Sequence, residues 1–151
     1  VAVAAVVAVK NGEFGSWEGN PTDYAIIDVD GDGNEELVLR YVRGMGWFTY
    51  GVFTYDDGKI IFVKNLDTWG ELRYSVAYKA LVYNTFRGNI QYSGTTFAKL
   101  ENNDLIPILD IGYSAGQKVI FHNDGTNDSI SDAVWDSTFA DVQTIQFEEV
   151  R

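Results

Sequence analysis

The tightest constraint on this fold is the segment 47–65, WFTYGVFTYDDGKIIFVKN, in which two runs of β-branched and aromatic residues meet across Asp56, Asp57 and Gly58. Glycine admits the positive φ that a tight hairpin turn demands, so the spacing predicts two antiparallel strands. Similar runs recur at 80–86, 91–100, 105–113 and 117–122, separated by RGN, ENND and SAG, each a turn composition. Links this short place successive strands side by side, which gives an antiparallel meander. Upstream, YAIID and ELVLRYV flank a short acidic stretch, and the second run sets Leu37, Leu39 and Tyr41 on one face.

A chain of 151 residues suits one core rather than two. With 46% hydrophobic and 15% aromatic residues it has ample apolar surface to fold. The expected class is mainly β (α+β), a single domain with an antiparallel meander or sandwich-like sheet. Its β core would cover 24–151, with an apolar N-terminal segment over 1–12. Near the C-terminus Ser131 can cap a short helix through DAVWDSTFADV, with Asp132 at the positive end of the dipole and Ala133, Val134, Trp135 and Phe139 sharing a face. TIQFEEV then alternates as a closing strand. Residues 1–9, VAVAAVVAV, read in two ways. One is a short helix stopped by Lys10, Asn11 and Gly12. The other is an apolar strand donated to an identical subunit, which would build a filament. Nine residues fall short of the roughly 20 that span a bilayer as a helix, and the run lacks the basic start and cleavage site of a signal peptide.

The net charge of −11 repels phosphate backbones and anionic lipid surfaces, so neither nucleic acid nor a membrane span is expected. The absence of cysteine removes disulfides, thiolate metal sites and cysteine nucleophiles together. His122, the single histidine, has no matched nucleophile in the pattern and reads as a strand-end residue. Asp67, Glu71, Asp104 and Asp110 offer carboxylates for a glycosidase pair, as any acidic chain does. The glycines of GDGNEE are ringed by acids that would repel phosphate. The chain is therefore expected not to be an enzyme.

Chemistry concentrates in residues 28–36, DVDGDGNEE. Calcium takes six to eight hard oxygen ligands, and a short loop supplies them when alternate carboxylates turn toward one point. Asp28, Asp30 and Asp32 alternate in this way, Gly31 and Gly33 permit the curl, the Asn34 carbonyl can add a backbone oxygen, and Glu36 closes the cage while Glu35 points outward. The competing reading is an acidic turn without metal. Four like charges at that spacing call for a counter-charge, and calcium suits the loop better than magnesium, which demands a tighter octahedron. The twelfth position, where an EF-hand places its bidentate Glu, is Leu39 inside a strand pattern, so the loop is not an EF-hand. The spacing D-x-D-x-D-G-x-x-E between strands resembles the calcium loops of FG-GAP and integrin-α-type β repeats. More broadly, YAIIDVDGDGNEELVLRY, the FTYDDGKI hairpin and the capped helix at Ser131 resemble a β-rich domain of exported Gram-positive proteins and lipoproteins. The resemblance implies an exported β-rich domain, at the cell surface or outside the cell; with no open coordination position or nearby base in the pattern, the calcium ion is expected to be structural.

Trp47, Tyr50, Trp69, Tyr74, Tyr78 and Tyr83 could form a flat platform for sugar rings or could be core, since aromatic residues pack across strands. Trp69, in the turn-like DTWGE, is the strongest candidate for exposure. The expected function is a calcium-stabilised structural, adhesive or assembly module whose partner is a cell-surface protein or identical subunits. The alternative is a carbohydrate-binding module whose partner is a glycan.

Overall fold

The computed structural model describes residues 7, 8, 11, 21–86 and 92–150. Among these the chain forms two antiparallel sheets and a short helix near the C-terminus, in one domain. The first sheet contains β1 (Asp23–Ile27), β2 (Glu36–Gly44), β3 (Trp47–Asp56), β4 (Lys59–Trp69) and β12 (Glu148–Glu149), in the order β12-β1-β2-β3-β4. The second contains β5 (Arg73–Ser75), β6 (Ala80–Phe86), β7 (Tyr92–Glu101), β8 (Asp104–Ser114), β9 (Gln117–Phe121), β10 (Asn127–Ser129) and β11 (Val142–Thr144), in the order β10-β9-β8-β7-β6-β5-β11.

The 47–65 hairpin forms with Asp56 opposite Lys59. Its two turn residues, Asp57 and Gly58, have φ of 45° and 76°, the paired left-handed conformation that matches strand twist. The β7–β8 connection uses the same device at Asn102 and Asn103, with φ of 50° and 60°. Asparagine tolerates this region better than most residues, and so a turn without glycine still closes tightly.

The main core lies between the sheets. Ala25, Val38, Tyr50, Val52 and Leu66 from the first meet Leu72, Leu81, Ala98, Leu100 and Leu105 from the second side. Leu37, Leu39 and Tyr41 share a face, as their alternation predicts, and cluster with Phe53. The intervening Val38 is also fully buried, on the other face. Strand β2 is therefore apolar on both sides, the pattern of a central strand.

The helix α1 (Asp132–Phe139) is capped by Ser131, whose Oγ accepts from the Val134 N–H at 3.2 Å. It rests on the outer face of the second sheet, with Trp135 and Phe139 against the cluster of Ala80, Val82, Phe97 and Ile111. Two expectations change here. Ala133 and Val134 do not share the buried face; both are exposed, and the helix contacts the sheet through positions 135, 138 and 139, the i, i+3, i+4 stripe. TIQFEEV is not one strand either. β11 pairs with β5 in the second sheet and β12 with β1 in the first, and buried Ile145 crosses between them, its N–H donating to the Leu72 carbonyl at 3.1 Å. The chain end thus ties the two sheets together.

Val7 and Ala8 are helical, and the Asn11 N–H donates to the Val7 carbonyl. The rest of the expected N-terminal segment, and with it the donated-strand reading, lies outside the described residues, as does the RGN turn. No helix among the described residues is long and apolar enough to cross a membrane.

Candidate metal centre

The acidic stretch is the loop of the β1–β2 hairpin, entered from Ile27 and left at Glu36, which are register partners. Its base is fixed by Val29. That side chain is fully buried, its N–H donates to Glu36 Oε2 at 2.8 Å, and its carbonyl accepts from the Tyr74 hydroxyl at 3.1 Å. The other Glu36 oxygen, Oε1, accepts from Thr54 Oγ1 at 3.4 Å. Strand β3 and strand β5 therefore both hold the loop.

Within the loop the backbone folds around Asp28. Oδ1 accepts from the N–H groups of Gly31 and Asp32, and Oδ2 accepts from that of Gly33, at 2.7 to 3.2 Å. Asp30 Oδ1 accepts from the Asp32 N–H at 3.0 Å. Carboxylates that shape their own loop in this way bring oxygens together without outside help. Asp28, Asp30 and Glu36 each present an oxygen within 4.8 Å of the others. Two ligands on one calcium ion, each at 2.3–2.6 Å, are separated by no more than about 5 Å, so this trio fits a single ion.

Of the five residues singled out from the sequence, Asp28, Asp30 and Glu36 converge. Asp32 is not in the trio. Its carboxylate accepts from the backbone and side-chain amides of Asn34, at 2.7 and 3.1 Å, so those two residues brace each other at the rim. Glu35 is exposed, as expected. Beside the loop lies a cleft of about 190 Å³ lined by Asp30, Asp32, Glu36, Thr54, Asn102 and Asn103 among others, which brings the β7–β8 turn to face the acids. That space accommodates further oxygen ligands, including water.

Burial, opposed by the Val29 N–H and reinforced by the charges of Asp30, Asp32 and Asp28, pushes the Glu36 carboxyl up to about 7. Burial and the same neighbours raise Asp30, whereas the Asn34 amides lower Asp32. The Tyr74 hydroxyl is raised, first by burial and then by the field of Asp28, Asp30 and Glu36. Among the ion pairs of the described residues none joins Lys or Arg to these four acids. The end of the Lys79 side chain lies against the loop backbone, its Cδ, Cε and Nζ 2.9, 3.1 and 3.2 Å from where a Cβ on Gly31 would stand, so an ammonium group stands beside the acids without pairing to any of the four.

Sequence reasoning missed that Thr54, Tyr74 and Lys79 meet the loop. They stand far along the chain from the loop and carry no motif. It also missed that Glu36 is 3% exposed; the signal available was its place as the first residue of an apolar strand.

The other candidates disperse. His122 stands just after β9, its Nε2 2.8 Å from Asp128 Oδ2, at the surface. Asp67 is on β4 and bonded to Thr49 and Arg43, while Asp104 and Asp110 are on β8 in the other sheet. The six aromatics do not form one platform. Tyr50 is fully buried, Tyr74 and Tyr83 pack against the main core, and Tyr78 sits edge-on to Phe97 at 5.3 Å. Trp47 and Trp69 are 44% and 51% exposed. Trp69 ends β4 rather than lying in a turn.

No protein-family model matches this chain, and comparison with curated proteins and with solved structures gave no match.

Proposed function

We propose that the β1–β2 loop binds one calcium ion through Asp28, Asp30 and Glu36, with Asp32 and the Asn34 carbonyl at the rim. The chain then acts as a non-catalytic, calcium-stabilised module of an extracellular or cell-surface protein, in a structural, adhesive or assembly role. The observation that carries this reading is the convergence of three carboxylates, one of them buried, none of them in an ion pair with Lys or Arg among the described residues, although the Lys79 ammonium lies against the same loop. Burying a carboxylate beside like charges is costly, and a divalent cation offsets that cost directly. Calcium fits the all-oxygen donor set and the adjoining room for more ligands. A structural role accords with a loop whose carboxylates also serve as acceptors for its own backbone, and with its location at the junction of both sheets. The millimolar calcium outside cells would fill even a weak site of this kind.

The test is thermal unfolding with calcium and with chelator, on the intact chain and on Asp30→Ala. A ligand that binds the native state raises the midpoint by mass action. The reading requires a calcium-dependent rise that Asp30→Ala lacks. Equal midpoints for the intact chain in both buffers would leave the loop an acidic turn.

A further inference from the structure

The end of the first sheet far from the acidic loop carries a second feature. Trp47 and Trp69 are direct partners in the β3–β4 register. Opposite residues share one face, with Cβ atoms about 5 Å apart, so the two half-exposed tryptophans project from the same face of the sheet. The next pair along that face is Thr49 and Asp67. There the Arg43 guanidinium donates to Asp67 Oδ1 at 3.3 Å and to Thr49 Oγ1 at 3.5 Å, and Thr49 Oγ1 donates to Asp67 Oδ1. Both charged side chains remain substantially exposed, 44% for Arg43 and 60% for Asp67. Two exposed tryptophans thus adjoin a row of donors and acceptors.

The backbone around the tryptophans is tied down. Gly46 and Gly70 continue the pairing beyond the tryptophans, through the Gly70 N–H donating to the Gly46 carbonyl at 2.8 Å, and a Cβ at Gly44 or Gly46 would meet nothing within 4 Å. Among the described residues no side chain stands against Gly44 or Gly46, whereas at Gly70 the Asn84 amide lies 2.9 Å from where a Cβ would stand. Underneath, Asn84 Nδ2 donates to the Trp69 carbonyl at 3.0 Å, Thr68 Oγ1 to the Asn84 carbonyl at 2.7 Å, and the buried Tyr50 hydroxyl to the Gly70 carbonyl at 3.1 Å. Strand β4 is therefore held at Trp69 before any ligand arrives, which reduces the ordering cost of binding.

We infer that the Trp47–Trp69 face binds a neutral pyranose polysaccharide, sugar rings lying on the indoles and hydroxyls bonding to Asp67 and Arg43. A pyranose ring presents a C–H face that packs on an aromatic surface and an equatorial rim of hydroxyls that needs both donors and acceptors, and the face supplies both. A purely apolar partner would leave the Arg43–Asp67 row desolvated and uncompensated. The net charge of −11 disfavours sulfated or uronate polymers. Seven steps along β3, about 23 Å at roughly 3.3 Å each, separate Trp47 from Thr54 at the acidic loop, so the inference stands apart from the calcium reading.

The test is affinity electrophoresis of the intact chain through gels containing soluble cellulose derivative, xylan, mannan or starch, with Trp47→Ala, Trp69→Ala and Tyr55→Ala alongside. Tyr55 is exposed near the acidic loop and serves as a control. The expected result is retardation by at least one of these polymers, weakened about tenfold or more in either tryptophan variant and unchanged in Tyr55→Ala. Far-ultraviolet spectra and unfolding midpoints of the variants establish that they fold. No retardation in any gel overturns the inference, as does retardation that both tryptophan variants retain. Binding only to a sulfated polymer or to a proline-rich peptide also overturns it.

Discussion

Replacing Glu36 by Gln should change stability in opposite directions with and without calcium. The side chain is almost wholly buried, and its carboxyl is held at about 7 against an ordinary 4.5, chiefly by burial and then by the charges of Asp30, Asp32 and Asp28. In the metal-free protein the folded state therefore keeps a proton that the unfolded chain releases above pH 4.5. Glu36 contributes its full stability below that pH, and the contribution is lost as pH rises through 7. The difference of 2.5 pH units corresponds to an upper bound of about 3 kcal/mol at pH 8, at 1.36 kcal/mol per unit. Gln carries no such loss, and its amide oxygen can still accept from the Val29 N–H. In chelator at pH 8, Glu36→Gln should be more stable than the intact chain by about 1–3 kcal/mol, a midpoint rise of roughly 3–10 °C for a chain of this size. In excess calcium the order should reverse. The intact chain gains about 2.7 kcal/mol at a hundredfold excess over the dissociation constant, and the variant has lost a ligand. Urea unfolding at pH 8 and pH 5.5, with calcium and with chelator, gives all four comparisons. A variant less stable than the intact chain in chelator at pH 8 would refute the reasoning, because Glu36 would then be a hydrogen-bonding group whose charge does no harm.

Three more outcomes follow from the same interior. Tyr50→Phe removes the hydroxyl that donates to the Gly70 carbonyl and accepts from the buried Leu72 N–H, and should cost about 1–3 kcal/mol in urea unfolding; a cost near zero would mean that those groups find other partners. Gly112→Ala places a Cβ 1.9 Å from the Ser93 carbonyl oxygen, where Gly112 of β8 pairs with Gly94 of β7, and should cost more than about 3 kcal/mol or prevent folding, read as lost soluble yield and a lowered midpoint. Asp23→Asn leaves Arg40 without its ion pair at 2.9 Å but still stacked on Phe147 at 4.5 Å, so it should cost only about 1 kcal/mol at low salt and less at high salt.

Much of the fold was legible in the chain because its turns and strands are local. The run 80–86 coincides with β6, and DDG closes the β3–β4 hairpin where the spacing puts it. Ser131 could be read because a cap needs only the residues that follow it. What could not be read depends on partners distant in sequence. TIQFEEV alternates like one strand, yet Ile145 must enter the space between sheets and the run divides around it. The face of α1 was misjudged because Ala133 and Val134 are apolar, whereas the stripe that meets the sheet depends on where the helix is laid.

The acidic loop shows the same division. Its acids stand in the motif, and the curl around Asp28 follows from local Asp–backbone bonds. The braces on Val29 and Glu36 come from Tyr74 and Thr54, which no spacing rule connects to the loop. Asp32 looked equivalent to Asp28 and Asp30 by alternation, but the Asn34 amides hold it at the rim.

Isothermal titration of chelator-stripped protein with calcium chloride, for the intact chain and for Asp30→Asn, tests the central claim most directly. The expected result is saturable binding of one ion per chain, with a dissociation constant of about a millimolar or tighter, and a clear loss of affinity in the variant. Absence of saturable binding up to about 10 mM calcium, or equal binding by both proteins, would contradict it.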